Sequence, residues 1–208
     1  MKKTAGEKTL LASVLLSAPG PIVVGLGLFY GQSSTQLADF IRRSAELAAI
    51  IVSWATFRFL HTSGELDMHR KERLERTANV CVGAAMCLSG AAMILIALFS
   101  SSKERGNVIP GLVIALLGAI TNSWFWIRYR SLDRKKKNVI LKAQSQLYFA
   151  KSLVDICVST ALSFLLIAPT AYASRYVDLG GSMVVAVYLL INGLGIIRGK
   201  SIIADSQV

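Results

Sequence analysis

Four ionisable residues fall inside otherwise apolar stretches, and their spacing repeats. Arg42 and Glu46 are four residues apart, and so are Lys151 and Asp155. Residues four apart on a helix are surface neighbours, so each pair shares one face. The chemistry open to such groups is the pairing or relay of a charged solute. A charge near a bilayer centre costs about 2.5–3.5 kcal/mol even on the lenient insertion scale, so it needs a partner and by default marks a functional site. The plainer alternative is that the pairs pin two helices together, since buried ion pairs add little stability but can fix register.

The surrounding sequence says which elements must position them. Of 208 residues, 53% are hydrophobic and only 17% charged, with a mean hydropathy of +0.53. A soluble domain carries roughly 25% charged residues, and a membrane helix needs about 20 apolar ones. Apolar runs cover about Thr9–Gly31, Leu37–Leu60, Ala78–Ser100, Val108–Tyr129, Leu147–Tyr172 and Met183–Ile197. The expectation is an all-α membrane protein, one domain over 1–208 with six transmembrane helices and no soluble domain. The first run is interrupted by Pro19-Gly20-Pro21 but continues to Tyr30, which suits a span better than a cleaved leader.

The net charge of +11 is placed in blocks between the runs, which argues against nucleic acid as a partner and for membrane orientation. Sixteen basic residues fall on one side: Lys2, Lys3 and Lys8, then Arg70 to Arg76, then Arg128 to Lys142, then Arg198 and Lys200. Lys103, Arg105 and Arg175 make three on the other. Both termini are therefore expected in the cytoplasm, with a bacterial inner membrane as the setting. Trp124, Trp126 and Tyr129 beside Arg128 and Arg130 predict an interfacial belt against membrane lipid.

With that topology the second and fifth spans run antiparallel. Placed at one depth, Arg42 is level with Asp155 and Glu46 with Lys151, predicting an alternating ring with no net charge. Asp39, just before it, is a candidate access residue. Glycines 83, 90, 111, 118, 193 and 195 are read as sites of close helix approach. Cys81, Cys87 and Cys157 lie in apolar runs without metal spacing, and His61 and His69 sit in a polar connection near Glu65, Asp67 and Glu72. These are expected to be structural or solvated. No cofactor loop or nucleophile–base set occurs in any span, so neither cofactor nor enzyme activity is expected.

Read in order, the spans resemble the membrane domain of the cation diffusion facilitator family. Ala38-Asp39-Phe40-Ile41-Arg42-Arg43-Ser44-Ala45-Glu46 follows the spacing of that family's second helix, and Lys151-Ser152-Leu153-Val154-Asp155 follows its fifth. Arg73-Leu74-Glu75, Pro110-Gly111-Leu112 with Asn122, and Asp178 through Gly193-Leu194 with Arg198 resemble its third, fourth and sixth. The resemblance implies cation efflux coupled to protons by an antiporter that works as a homodimer. It also implies that the positions held by Arg42, Glu46, Lys151 and Asp155 coordinate a divalent metal in relatives.

Here two of the four are cations that cannot ordinarily ligate, so no metal is expected at the ring. At 4 Å and an effective dielectric of 20, each would repel a divalent ion by about 8 kcal/mol. The family's cytoplasmic C-terminal domain is expected to be absent as well. Three functions remain open: a proton-coupled cation transporter in which Lys151 switches charge, a non-transporting scaffold or partner subunit, and a carrier of an organic cation or small zwitterionic solute.

Overall fold

The computed structural model describes residues 4–30, 34–62, 67–99, 108–167 and 172–199. Lys2, Lys3, Glu65, Lys103, Arg105 and Lys200 lie outside the described residues, as do the surroundings of Gly111 and the side chains of Arg175 and Asp178. Within them the chain forms helices α1 (Ala5–Ser17), α2 (Pro19–Tyr30), α3 (Ser34–Thr62), α4 (Met68–Phe99), α5 (Val108–Lys136), α6 (Val139–Ile167) and α7 (Tyr172–Ile197).

The first apolar run is two helices because proline supplies no N–H to continue the first. The Thr4 hydroxyl caps α1 by accepting from the Glu7 amide at 3.4 Å, and the ladder ends at Ala18, whose amide reaches Val14 at 3.0 Å. Pro19 then opens α2. Ala5–Leu26 is nonetheless one stretch apolar and long enough to cross a membrane. Met68–Leu95 and Leu112–Lys135 also qualify among the described residues, and Met183–Ile197 is a shorter apolar helix.

Several helices run past the apolar stretches that announced them. Lysine and arginine are good helix formers, so α5 continues through its basic end to Lys136 and α6 begins at Val139. The joint is two residues. Lys137 takes a left-handed conformation (φ 44°), and Asn138 caps α6 by accepting from the Ile140 and Leu141 amides at 3.1 and 3.3 Å.

The exterior is apolar and the interior partly polar. Ile22, Val23, Ile114, Leu117, Ile120 and Val184 are exposed, whereas Glu46, Ser53, Ser89, Gln144 and Asn192 are buried. Water would not sustain that distribution, but lipid does. A core that includes Leu10, Ile50, Phe57, Met86, Phe125, Tyr129, Leu147 and Tyr148 joins the helices. Tyr129 corrects the belt expectation. It is fully buried, its hydroxyl 2.7 Å from that of Ser13 and 3.3 Å from the Thr9 carbonyl, because its face of α5 meets α1. Trp124 is exposed as a belt residue would be.

The paired glycines act as anticipated where α4 packs along α7. A Cβ on Gly83 would stand 2.6 Å from the Gly193 carbonyl, and one on Gly193 2.7 Å from the Gly83 carbonyl. Backbone faces backbone, so neither can yield without separating the helices. Gly83→Leu is therefore expected to destabilise by about 3 kcal/mol, the upper end for overpacking, measured by thermal unfolding in detergent. An unchanged midpoint would show that α4 and α7 separate freely.

Candidate functional site

The site lies between α3 and α6, near the middle of each. Lys151 Nζ is 3.3 Å from Glu46 Oε2. Two turns away, Gln144 Nε2 donates to Ser53 Oγ at 2.8 Å, and Ser53 in turn donates to the Ala49 carbonyl. The two contacts are seven residues apart on both helices in opposite directions. They fix an antiparallel register in which Arg42 and Asp155 stand level.

Those level residues do not pair. Arg42 turns back along its own helix, donating from Nε and Nη2 to Asp39 Oδ1 at 3.1 and 2.7 Å. It also lies 3.8 Å from Glu46 Oε1. Asp39 accepts a further bond from Arg43 Nε at 2.7 Å. Asp155 instead accepts from Asn122 Nδ2 of α5 at 2.6 Å. No ion pair joins Arg42 to Asp155 among the described residues, which corrects the closed ring.

The cause is local. Asp39 is one turn from Arg42 and needs no inter-helix reach. The Asp155 carboxylate lies over Gly118, where a Cβ would sit 2.8 Å from Oδ2. Contact between α3 and α6 is slender, while α5 and α6 pack along much of their length, so Asp155 is drawn to α5.

The observed arrangement is a chain of alternating charges, Arg43–Asp39–Arg42–Glu46–Lys151, with Asp155 beside it. Counting all six groups, three cations balance three anions. Glu46 is buried and its carboxylate is fully engaged, since Ser89 Oγ of α4 donates to Oε1 at 2.8 Å. Lys151 also lies 5.1 Å from the centre of the Tyr148 ring, a favourable position for an ammonium. The carboxylates are thus held by protein cations and donors, and only Asp155 has a neutral amide as its direct partner.

Asp39 has a larger structural part than an access residue, because it holds both arginines. Ser89, Asn122 and Gly118 were missed as site residues. The available signal was a polar side chain inside an apolar run, which must find a partner there, and the four-residue spacing of Gly118 and Asn122 on one face. Ser123 and Ser152 add a hydroxyl contact at 2.6 Å between α5 and α6.

The histidines stand apart. His61 lies in the last turn of α3, with Nδ1 2.9 Å from the Phe57 carbonyl and its ring stacked on that of Phe57 at 4.2 Å; His69 is exposed in the first turn of α4. Among the described residues no group of three or more His, Cys, Asp or Glu side chains could hold a metal, and no disulfide forms.

A search of curated proteins finds no match. The family model described as the cation efflux transmembrane domain matches residues 10–201.

Proposed function

Because the chain belongs to the cation efflux family, the transmembrane domain of the cation diffusion facilitators, we propose that this integral membrane protein is a secondary transporter that exchanges a cation for protons. The solute would pass between α3 and α6, and both termini would lie in the cytoplasm with six spans between them. A homodimer is the expected assembly by family resemblance.

The observation that carries the reading is the buried Glu46–Lys151 pair at 3.3 Å, beside an acid, Asp155, whose direct partner is neutral. Lysine can give up its proton in a buried site, whereas arginine stays charged. Loss of that proton would free Glu46 to compete for an incoming cation while Arg42 continues to neutralise Asp39. Proton departure and cation admission would then be linked at one rung. A divalent ion would still face the Arg42 guanidinium, so a monovalent cation suits the site better.

A second reading rests on Glu46 being fully engaged. Its partners satisfy it without any solute, as they would in a non-transporting subunit that keeps the fold and has lost the traffic. An organic cation or zwitterion is the remaining solute class.

The experiment separating these uses proteoliposomes with an acidic interior and a trapped pH dye. Chlorides of Na⁺, K⁺, Zn²⁺, Mn²⁺ and an organic ammonium are added outside in turn. Exchange predicts that one of them alkalinises the lumen, and that Lys151→Met abolishes the response. If no ion elicits a response from well-folded protein, the scaffold reading prevails.

A further inference from the structure

The basic end of α5 carries a cavity of about 370 Å³ lined by Trp126, Ile127, Arg130, Ser131, Arg134 and Lys135. Three linings are cationic, one is a hydroxyl and none is a carboxylate. Arg130, Arg134 and Lys135 are exposed, and none forms an ion pair among the described residues. The Arg130 guanidinium lies 5.8 Å from the Trp126 ring centre, which orients it without neutralising it. Asp133, the nearest acid in sequence, interacts electrostatically with Lys142 of α6.

The same helical face continues away from the basic end as a stripe of exposed Ile127, Ile120, Leu116 and Val113. Their spacings of seven, four and three residues keep them in line with Arg130 and Arg134. From Ile120 to Arg130 the helix rises about 15 Å, half of a hydrocarbon core of about 30 Å. One face of α5 therefore offers an apolar track of acyl-chain length, then an aromatic wall, then three unneutralised cations with a hydroxyl donor.

We propose that this face is a binding site for one anionic phospholipid, its phosphate held by Arg130, Arg134, Lys135 and Ser131 and an acyl chain laid along Ile127 and Ile120. A soluble anion would use only the basic end. A zwitterionic lipid would bring its own cation against the three arginine and lysine charges. The anionic headgroup with attached chains alone matches the whole length.

The test is native mass spectrometry of the purified full chain, given equal phosphatidylglycerol and phosphatidylcholine in detergent. Phosphatidylglycerol is expected to be retained preferentially. A cation near a lipid surface contributes about fivefold, so the triple variant R130Q/R134Q/K135Q should weaken retention on the order of a hundredfold. Lys71→Gln, which removes an exposed cation of α4, should leave it unchanged. Trp126→Ala gives a second reading with all charges kept and is expected to reduce retention several-fold. The proposal is overturned if the triple variant still retains phosphatidylglycerol, or if Lys71→Gln weakens it equally. It is also overturned if millimolar glycerol phosphate displaces the lipid, since the site would then be one for soluble anions.

Discussion

Glu46→Ala is expected to lower stability by about 3–5 kcal/mol, the range for removing one partner of a buried ion pair. Glu46 meets Lys151 at 3.3 Å and Arg42 at 3.8 Å, so its loss strands Lys151, leaves Arg42 with Asp39 alone and leaves Ser89 without its acceptor. Asp155→Ala should cost only about 1–3 kcal/mol, because what it abandons is the Asn122 amide. A closed ring would have made the two losses comparable; the observed geometry separates them. Thermal or denaturant unfolding in detergent, with both variants side by side, reads it directly. Equal losses, or a larger one for Asp155, would show that the charge chain is not what holds α3 to α6.

The double variant R42D/K151H is expected to bind Zn²⁺ where the parent protein does not. It exchanges the two cations level with Asp155 and Glu46 for a carboxylate and an imidazole, giving a set of three carboxylates and one imidazole. Asp39 keeps Arg43 as its partner at 2.7 Å when Arg42 is gone, so the carboxylate left without its cations, Glu46, is one of those placed to bind the ion. Calorimetry should report micromolar affinity, about 8 kcal/mol of binding free energy. R42A/K151A removes the same repulsion without adding ligands and should bind far more weakly. If R42D/K151H gains nothing over it, these four positions do not converge on one point.

Much of this arrangement was legible before any coordinates. Antiparallel helices with paired charges at equal spacing admit one register that levels all four, and the Glu46–Lys151 and Ser53–Gln144 contacts keep it. Close approach at Gly83, Gly90 and Gly193 also followed from residue size. What could not be read was rotation. Depth follows from counting residues, but whether Asp155 faces α3 or α5 depends on which neighbour packs closer. That was decided by Gly118, a residue whose contribution is the side chain it lacks. The competition for Arg42 was hidden similarly, since Asp39 lay one turn away in plain sequence yet at a different depth from the level pairs. Tyr129 was misjudged because aromatic residues beside arginines suit an interface equally well whether they point out or in.

The two-residue joint at Lys137 and Asn138 has a mechanical consequence. It leaves α5 and α6 too little slack to slide past one another, so they would pivot as a single lever with Asp155 clasped to Asn122 throughout the stroke. The slender surface between α3 and α6 is one that such a pivot would shear. Glu46–Lys151 and Ser53–Gln144 bridge that surface like two teeth of a latch, and a lever moving as one piece would have to disengage both together. Such a latch makes intermediate positions costly and favours two end positions, which is the behaviour an exchanger requires.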